Sequence, residues 1–230
     1  MVNKSSIINN ILMISIIGAF LTACDKSVLS SDQMDRSTFT GNPCSAPCWH
    51  NLIIGKSTES DVISTLQTLT FIDQNTIKIH RMSMSGLVPS VYGPGAEITA
   101  NCIIPHKQCL TTRVVDGVLT GVEIILNYKI SLDEANNYLG DPDYINYQMM
   151  GAEDVTCEVQ LIWKSKQLIL ASDTFKGGLI EKNCGMVHDT GKIVSSLVIS
   201  KVRYVSSEAI EFYLASGSTF FKYSGTLPGK

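Results

Sequence analysis

The groups with the most chemistry in this chain are its seven cysteines, and their spacing sorts them. Cys24 stands alone behind an apolar stretch, whereas the other six fall into neighbouring pairs: Cys44 with Cys48, Cys102 with Cys109, and Cys157 with Cys184. An even set of cysteines in an exported chain reads as a disulfide framework. Closing short loops costs the least chain entropy, so nearest-neighbour pairing is expected, although spacing alone leaves the connectivity open. Metal and redox chemistry are the competing uses. His106 lies three positions before Cys109 and His188 four after Cys184, but the paired-cysteine clusters of zinc sites do not occur. Cys44-Ser45-Ala46-Pro47-Cys48 separates its sulfurs by three residues where thiol oxidoreductases use two.

The remaining candidates for catalysis are sparse. His188-Asp189 pairs a base with a carboxylate, but among Cys184, Gly185 and Gly191 it reads as a solvated loop. Trp49-His50 reads as aromatic packing over the adjacent Cys48. No nucleophile elbow, His-Glu-x-x-His, phosphate-binding loop or Gly-x-Gly-x-x-Gly motif is present. The expectation is therefore no catalytic residue, no metal and no cofactor. An exported hydrolase or thiol oxidoreductase with an unrecognised site is the alternative.

Lys4 and the apolar run from Ile7 to Phe20 have the form of an export signal, too short for a comfortable membrane span. The run ends in Leu21-Thr22-Ala23-Cys24, which resembles the lipobox of bacterial lipoproteins. That resemblance implies cleavage before Cys24 and acylation of its thiol. At about 0.8 kcal/mol per buried methylene, two or three acyl chains make a stable anchor. It further implies a place on the extracytoplasmic face of a cell-envelope membrane, with the membrane and another envelope protein as partners. A net charge of −3 and a pI near 5.8 lack the basic excess that nucleic acid requires. Residues 1–23 are then a signal peptide. Residues 24–42, rich in Ser, Asp and Thr with few large apolar side chains, read as a lipidated flexible tether.

Beyond the tether, the elements that must position any site show a recurring pattern. Thr58 and Asp61 precede the apolar positions Val62, Ile63 and Leu66, the signature of a capped helix. Ser131, Glu134, Ala135 and Leu139 repeat it, with Gly140 and Pro142 as the stop. Strand-like runs follow each helix: 76–82, 97–104, 111–115 and 118–128, then 155–163, 167–172, 194–205 and 209–214. Asp116-Gly117 marks a hairpin. The expected fold is α+β, two tandem modules at 43–128 and 129–230, each a helix plus an antiparallel sheet, stapled by disulfides. The pattern from Thr58 to Leu139-Gly140-Asp141-Pro142 resembles the BamE-type (SmpA/OmlA) lipoproteins and the tandem-repeat beta-lactamase inhibitor proteins. Pro43 to Gly55 is similar to a group of bacterial extracytoplasmic proteins. These resemblances imply a scaffold for binding or assembly, and with no catalytic motif in the chain the expected role is a non-catalytic binding or envelope-assembly module.

Two stretches carry candidate recognition residues, since Tyr and Met on connecting segments suit adaptable contacts. One is 87–95 with Tyr92, and the other is 141–152 with Tyr144, Tyr147 and Met149. In the second, the alternation of Tyr144, Asn146 and Gln148 with Ile145, Tyr147 and Met149 equally describes a half-buried strand.

Overall fold

Helices begin in this chain where side chains replace the partners that a first helical turn lacks. A computed structural model describes residues 34–85, 93–150, 156–172, 197–215 and 220–222. Helix α1 spans Ser37–Thr40, strands β1 and β2 span Cys48–Trp49 and Leu52–Ile53, and helix α2 spans Glu59–Leu66. Ahead of α2 the Thr58 hydroxyl accepts from the Asp61 amide while the Asp61 carboxylate accepts from the Thr58 amide at 2.7 Å, a capping box. Strands β3 (Lys78–Ser85), β4 (Gly93–Asn101), β5 (Gln108–Val115) and β6 (Val118–Ser131) follow. The turn between the last two is the predicted one, Asp116 and Gly117 both taking the positive φ that a tight hairpin demands. Helix α3 (Leu132–Leu139) starts on Ser131, whose hydroxyl accepts from the Glu134 amide. Then come β7 (Tyr144–Met150), β8 (Thr156–Trp163), β9 (Leu168–Ser172), β10 (Val198–Val205), helix α4 (Ser207–Ala215) and β11 (Phe220–Lys222).

The expectation of an α+β chain of two tandem helix-plus-sheet modules is corrected by the sheet. The described residues are mainly β, with one nine-stranded antiparallel sheet in the order β11-β7-β8-β9-β10-β6-β5-β4-β3 and a separate two-stranded β1-β2 ribbon. The helices are short. Two four-stranded meanders do occur, but β10 pairs with β6 from Val198 opposite Ser131 to Val205 opposite Gly121, so they share one sheet. The reason is in the backbone: kept apart, β6 and β10 would each expose an unpaired edge, and pairing satisfies both rows of N–H and C=O groups. β6 also runs unbroken through residues 128 and 129, and the described residues form one compact unit.

Two further expectations change. The run 209–214, read as a strand, is helix α4. The Ser206 hydroxyl accepts from the Ala209 amide, and Ala209, Ile210, Tyr213 and Leu214 share one helical face against Ile162, Ile169 and Val205. The segment read as a flexible tether through residue 42 is built into the protein from Asp35 onward, with Asp35, Ser37, Thr38 and Phe39 buried.

One face of the sheet carries the main core. Ile98, Leu110, Ile124, Leu161, Leu170, Val202 and Tyr204 meet Val62 and Leu66 of α2, Leu132 and Ala135 of α3, and Trp49. On the opposite face, among the described residues, α4 packs on the end at β8, β9 and β10. If α4 is a helix, Ile210→Ala should cost about 3 kcal/mol, while Phe212→Ala, two positions on and 39% exposed against 0% for Ile210, should cost clearly less. Urea unfolding measures both; equal losses would restore the alternation of a strand.

Candidate functional site

The side chains that alternate away from the core place charge on the centre of the second sheet face. Glu158 of β8, only 1% exposed, accepts from Gln160 Nε2 at 2.8 Å, from Lys201 Nζ at 2.7 Å and from an Arg203 terminal nitrogen at 3.2 Å. Arg203 also donates from Nε to Glu123 at 2.6 Å, across the register pair that joins β10 to β6. Burial alone would raise the Glu158 carboxyl; the hydrogen bonds from Gln160 and Lys201 and the charge of Arg203 outweigh it and hold the group below the usual carboxylate range. Burial likewise opposes the charge on Arg203, and Glu123 and Glu158 reverse that, so its guanidinium stays charged.

Beside this network the sheet is hollow. Gly121 stands in β6 between Arg113 of β5 and Val205 of β10, and a cavity of about 280 Å³ lies over it, reaching Glu123, Lys201 and Tyr213 of α4. Its described walls hold the Thr111 hydroxyl and the charged groups of Arg113, Glu123, Glu158, Lys201 and Arg203, with no histidine, cysteine or serine among them. The arrangement presents fixed charges of both signs beside an aromatic ring, which suits recognition of a polar ligand.

A second polar cluster fastens the N-terminal segment. The Asp35 carboxylate accepts from the Ser37 amide at 3.0 Å, the Ser37 hydroxyl at 2.6 Å and Trp49 Nε1 at 2.7 Å, and lies 3.1 Å from His50 Nε2. Tyr128 donates to the Asp35 carbonyl, and Tyr204 and Thr38 share a hydroxyl contact of 2.9 Å. His50 and Asn51 form the two-residue β1-β2 turn with positive φ, which swings the imidazole back towards Asp35. Burial pushes the Asp35 carboxyl up, but the contacts with His50, Ser37 and Trp49 prevail and hold it low. Burial drives the Tyr128 and Tyr204 hydroxyls upward, so both stay neutral donors.

Of the residues singled out from sequence, Cys44 bonds to Cys48 and Cys102 to Cys109, the second bridge closing the loop between β4 and β5. Cys157 lies on β8 with its side chain outside the described residues, and Cys24, Cys184, Tyr92, His188 and Asp189 lie outside them altogether. Tyr144, Tyr147 and Met149 are all on β7, the strand that their alternation allowed. Tyr144 packs against the small cluster under α4 and is not among the residues that line the cavity, while the side chains of Tyr147 and Met149 are outside the described residues. Trp49 is fully buried, with its indole N–H on Asp35, a partner that the local sequence does not reveal. Neither the charged cavity nor Asp35 was marked out from sequence. The available signals were Gly121 inside an apolar strand and Phe39 inside a polar segment.

Among the described residues no helix is long and apolar enough to cross a membrane. The two disulfides are compatible with an oxidising, extracytoplasmic location. Comparison of the chain with protein-family models, with curated proteins and with solved structures finds no match.

Asp35→Asn should lower stability near neutral pH by about 2 to 3 kcal/mol, because an amide turns N–H groups towards the donors that the carboxylate satisfied. Since the folded-state carboxyl sits below its unfolded value of about 3.9, its contribution is full above that pH and fades as pH falls through the lower folded value. Denaturant titrations from pH 7 to pH 2 should show the gap between wild type and Asp35→Asn closing in acid. A gap constant with pH would refute the charged clasp.

Proposed function

We propose that this chain is an extracytoplasmic lipoprotein, held on a cell-envelope membrane through acyl groups on Cys24, that acts as a non-catalytic binding or envelope-assembly module. The observation that carries the binding role is the cavity over Gly121: it is placed on the sheet face left open by the core helices, and its charged walls are already fixed by mutual ion pairs. A preformed site of this kind binds without a large ordering cost. The anchoring half rests on Leu21-Thr22-Ala23-Cys24 and on the export that disulfides imply. The clasp at Asp35 would then give the lipid-linked segment a fixed point of entry into the folded part.

Two measurements test the reading. Cys24→Ala should lose all incorporation of a fatty-acid analogue and accumulate as precursor; labelling that persists on this variant refutes the anchor. For the binding role, purified protein is incubated with envelope extract and examined by native mass spectrometry. The expected result is a small molecule retained in stoichiometric amount, released unchanged, and absent from Gly121→Leu, whose side chain would occupy the hollow. Release of a chemically altered molecule would contradict the non-catalytic reading, and undiminished retention by folded Gly121→Leu would remove the cavity from it.

A further inference from the structure

A glycine inside a central strand costs stability, so its presence needs a reason. Gly121 follows a register shift between β5 and β6, yet its backbone is outside the left-handed region that Gly41, Gly55, Gly117 and Gly140 occupy. Other residues could hold that conformation. What the glycine provides is a missing side chain between Arg113 and Val205, and that gap is the floor of the cavity.

The walls differ in character. Arg113, Lys201 and Arg203 line the cavity together with Glu123 and Glu158. Both Glu158 oxygens already accept from Gln160, Lys201 and Arg203, and Glu123 accepts from Arg203. Arg113 meets Glu97 through its inner Nε at 3.3 Å. The register sets Glu97 and Gly121 on opposite sides of Arg113, so the guanidinium stands between a carboxylate behind it and the hollow in front. Its two terminal nitrogens form the planar fork that matches a carboxylate. Val205, across β6 from Arg113, and Tyr213 of α4 complete the apolar part of the lining. Glu123 and Glu158 would repel a dianion, which argues against a phosphate monoester and for a single negative charge.

We propose that the cavity binds an organic monocarboxylate with a compact apolar body, its carboxylate on Arg113 and its body over Gly121 against Tyr213. This rests on the binding-module reading and assigns its ligand class. The carboxylate arrives either on a free acid or at the C-terminus of a peptide.

The test is titration of isotope-labelled full chain with benzoate, followed by NMR, with benzamide as the neutral isostere. Benzoate should shift the amides of Gly121, Arg113 and Tyr213, and benzamide should bind at least tenfold more weakly. Arg113→Gln should weaken benzoate at least tenfold while leaving the circular dichroism unchanged, which keeps the test valid if Gly121→Leu fails to fold. N-Acetylphenylalanine binding more tightly than benzoate assigns the site to peptide C-termini, and the reverse order assigns it to free acids. Equal affinity for benzamide, no effect of Arg113→Gln, or shifts confined to other regions would overturn the proposal. If benzoate does not bind while a molecule from envelope extract is retained by wild type and lost in Gly121→Leu, the carboxylate assignment falls and the binding module stands.

Discussion

The pairing of β10 with β6 is the constraint on which the rest of the structure depends. It turns two meanders into one sheet and gives the helices on one side a single continuous core. It also brings Arg203 opposite Glu123 and within reach of Glu158. A slip of one residue along this seam would exchange the two faces of β10, driving Lys201 and Arg203 into the core and Val202 and Tyr204 out of it. The charges therefore specify register more than they add stability, because a buried carboxylate gives back in desolvation much of what its partners supply.

The same seam explains why a cavity sits where it does. On the core face the alternation demands large apolar side chains, and these pack into one continuous cluster. On the other face, among the described residues, α4 caps one end and the middle carries polar groups that satisfy one another. Where β6 omits a side chain at Gly121 the two flanking arginines are tied elsewhere, Arg113 to Glu97 and Arg203 to Glu123 and Glu158. A hollow bounded by immobilised charge is the result. The N-terminal segment is fixed by the same logic at another place, where one buried carboxylate, Asp35, draws donors from Ser37 and Trp49 and the ring of His50 into one cluster.

Local signals in the sequence were legible and long-range ones were not. The caps at Thr58 and Ser131 and the turn at Asp116-Gly117 depend on residues within three positions of each other, so spacing alone reveals them. Ala209 to Leu214 was misread because so short an apolar run fits both the helical and the strand period, and only the contacts with Ile162 and Ile169 decide between them. The partition into two modules failed because the choice between two small sheets and one large one lies in how β6 meets β10, about which neither strand's own sequence speaks. The cavity was hidden for the same reason: Glu158 is 43 positions from Lys201, and Glu123 is 80 from Arg203. Asp35 was assigned to a tether because Ser and Thr dominate its neighbourhood, yet Phe39 and Trp49 supply the burial that composition does not show.

Hydrogen exchange on the intact chain, resolved amide by amide, tests the role of the seam most directly. If the β6-β10 pairing makes the sheet one cooperative unit, the central amides of β5, β6, β9 and β10 should exchange only through global unfolding, with a common free energy and a common dependence on denaturant. Exchange of β9 and β10 through a separate opening of lower free energy, with β5 and β6 still protected, would mean that the meanders are independent and would contradict the account.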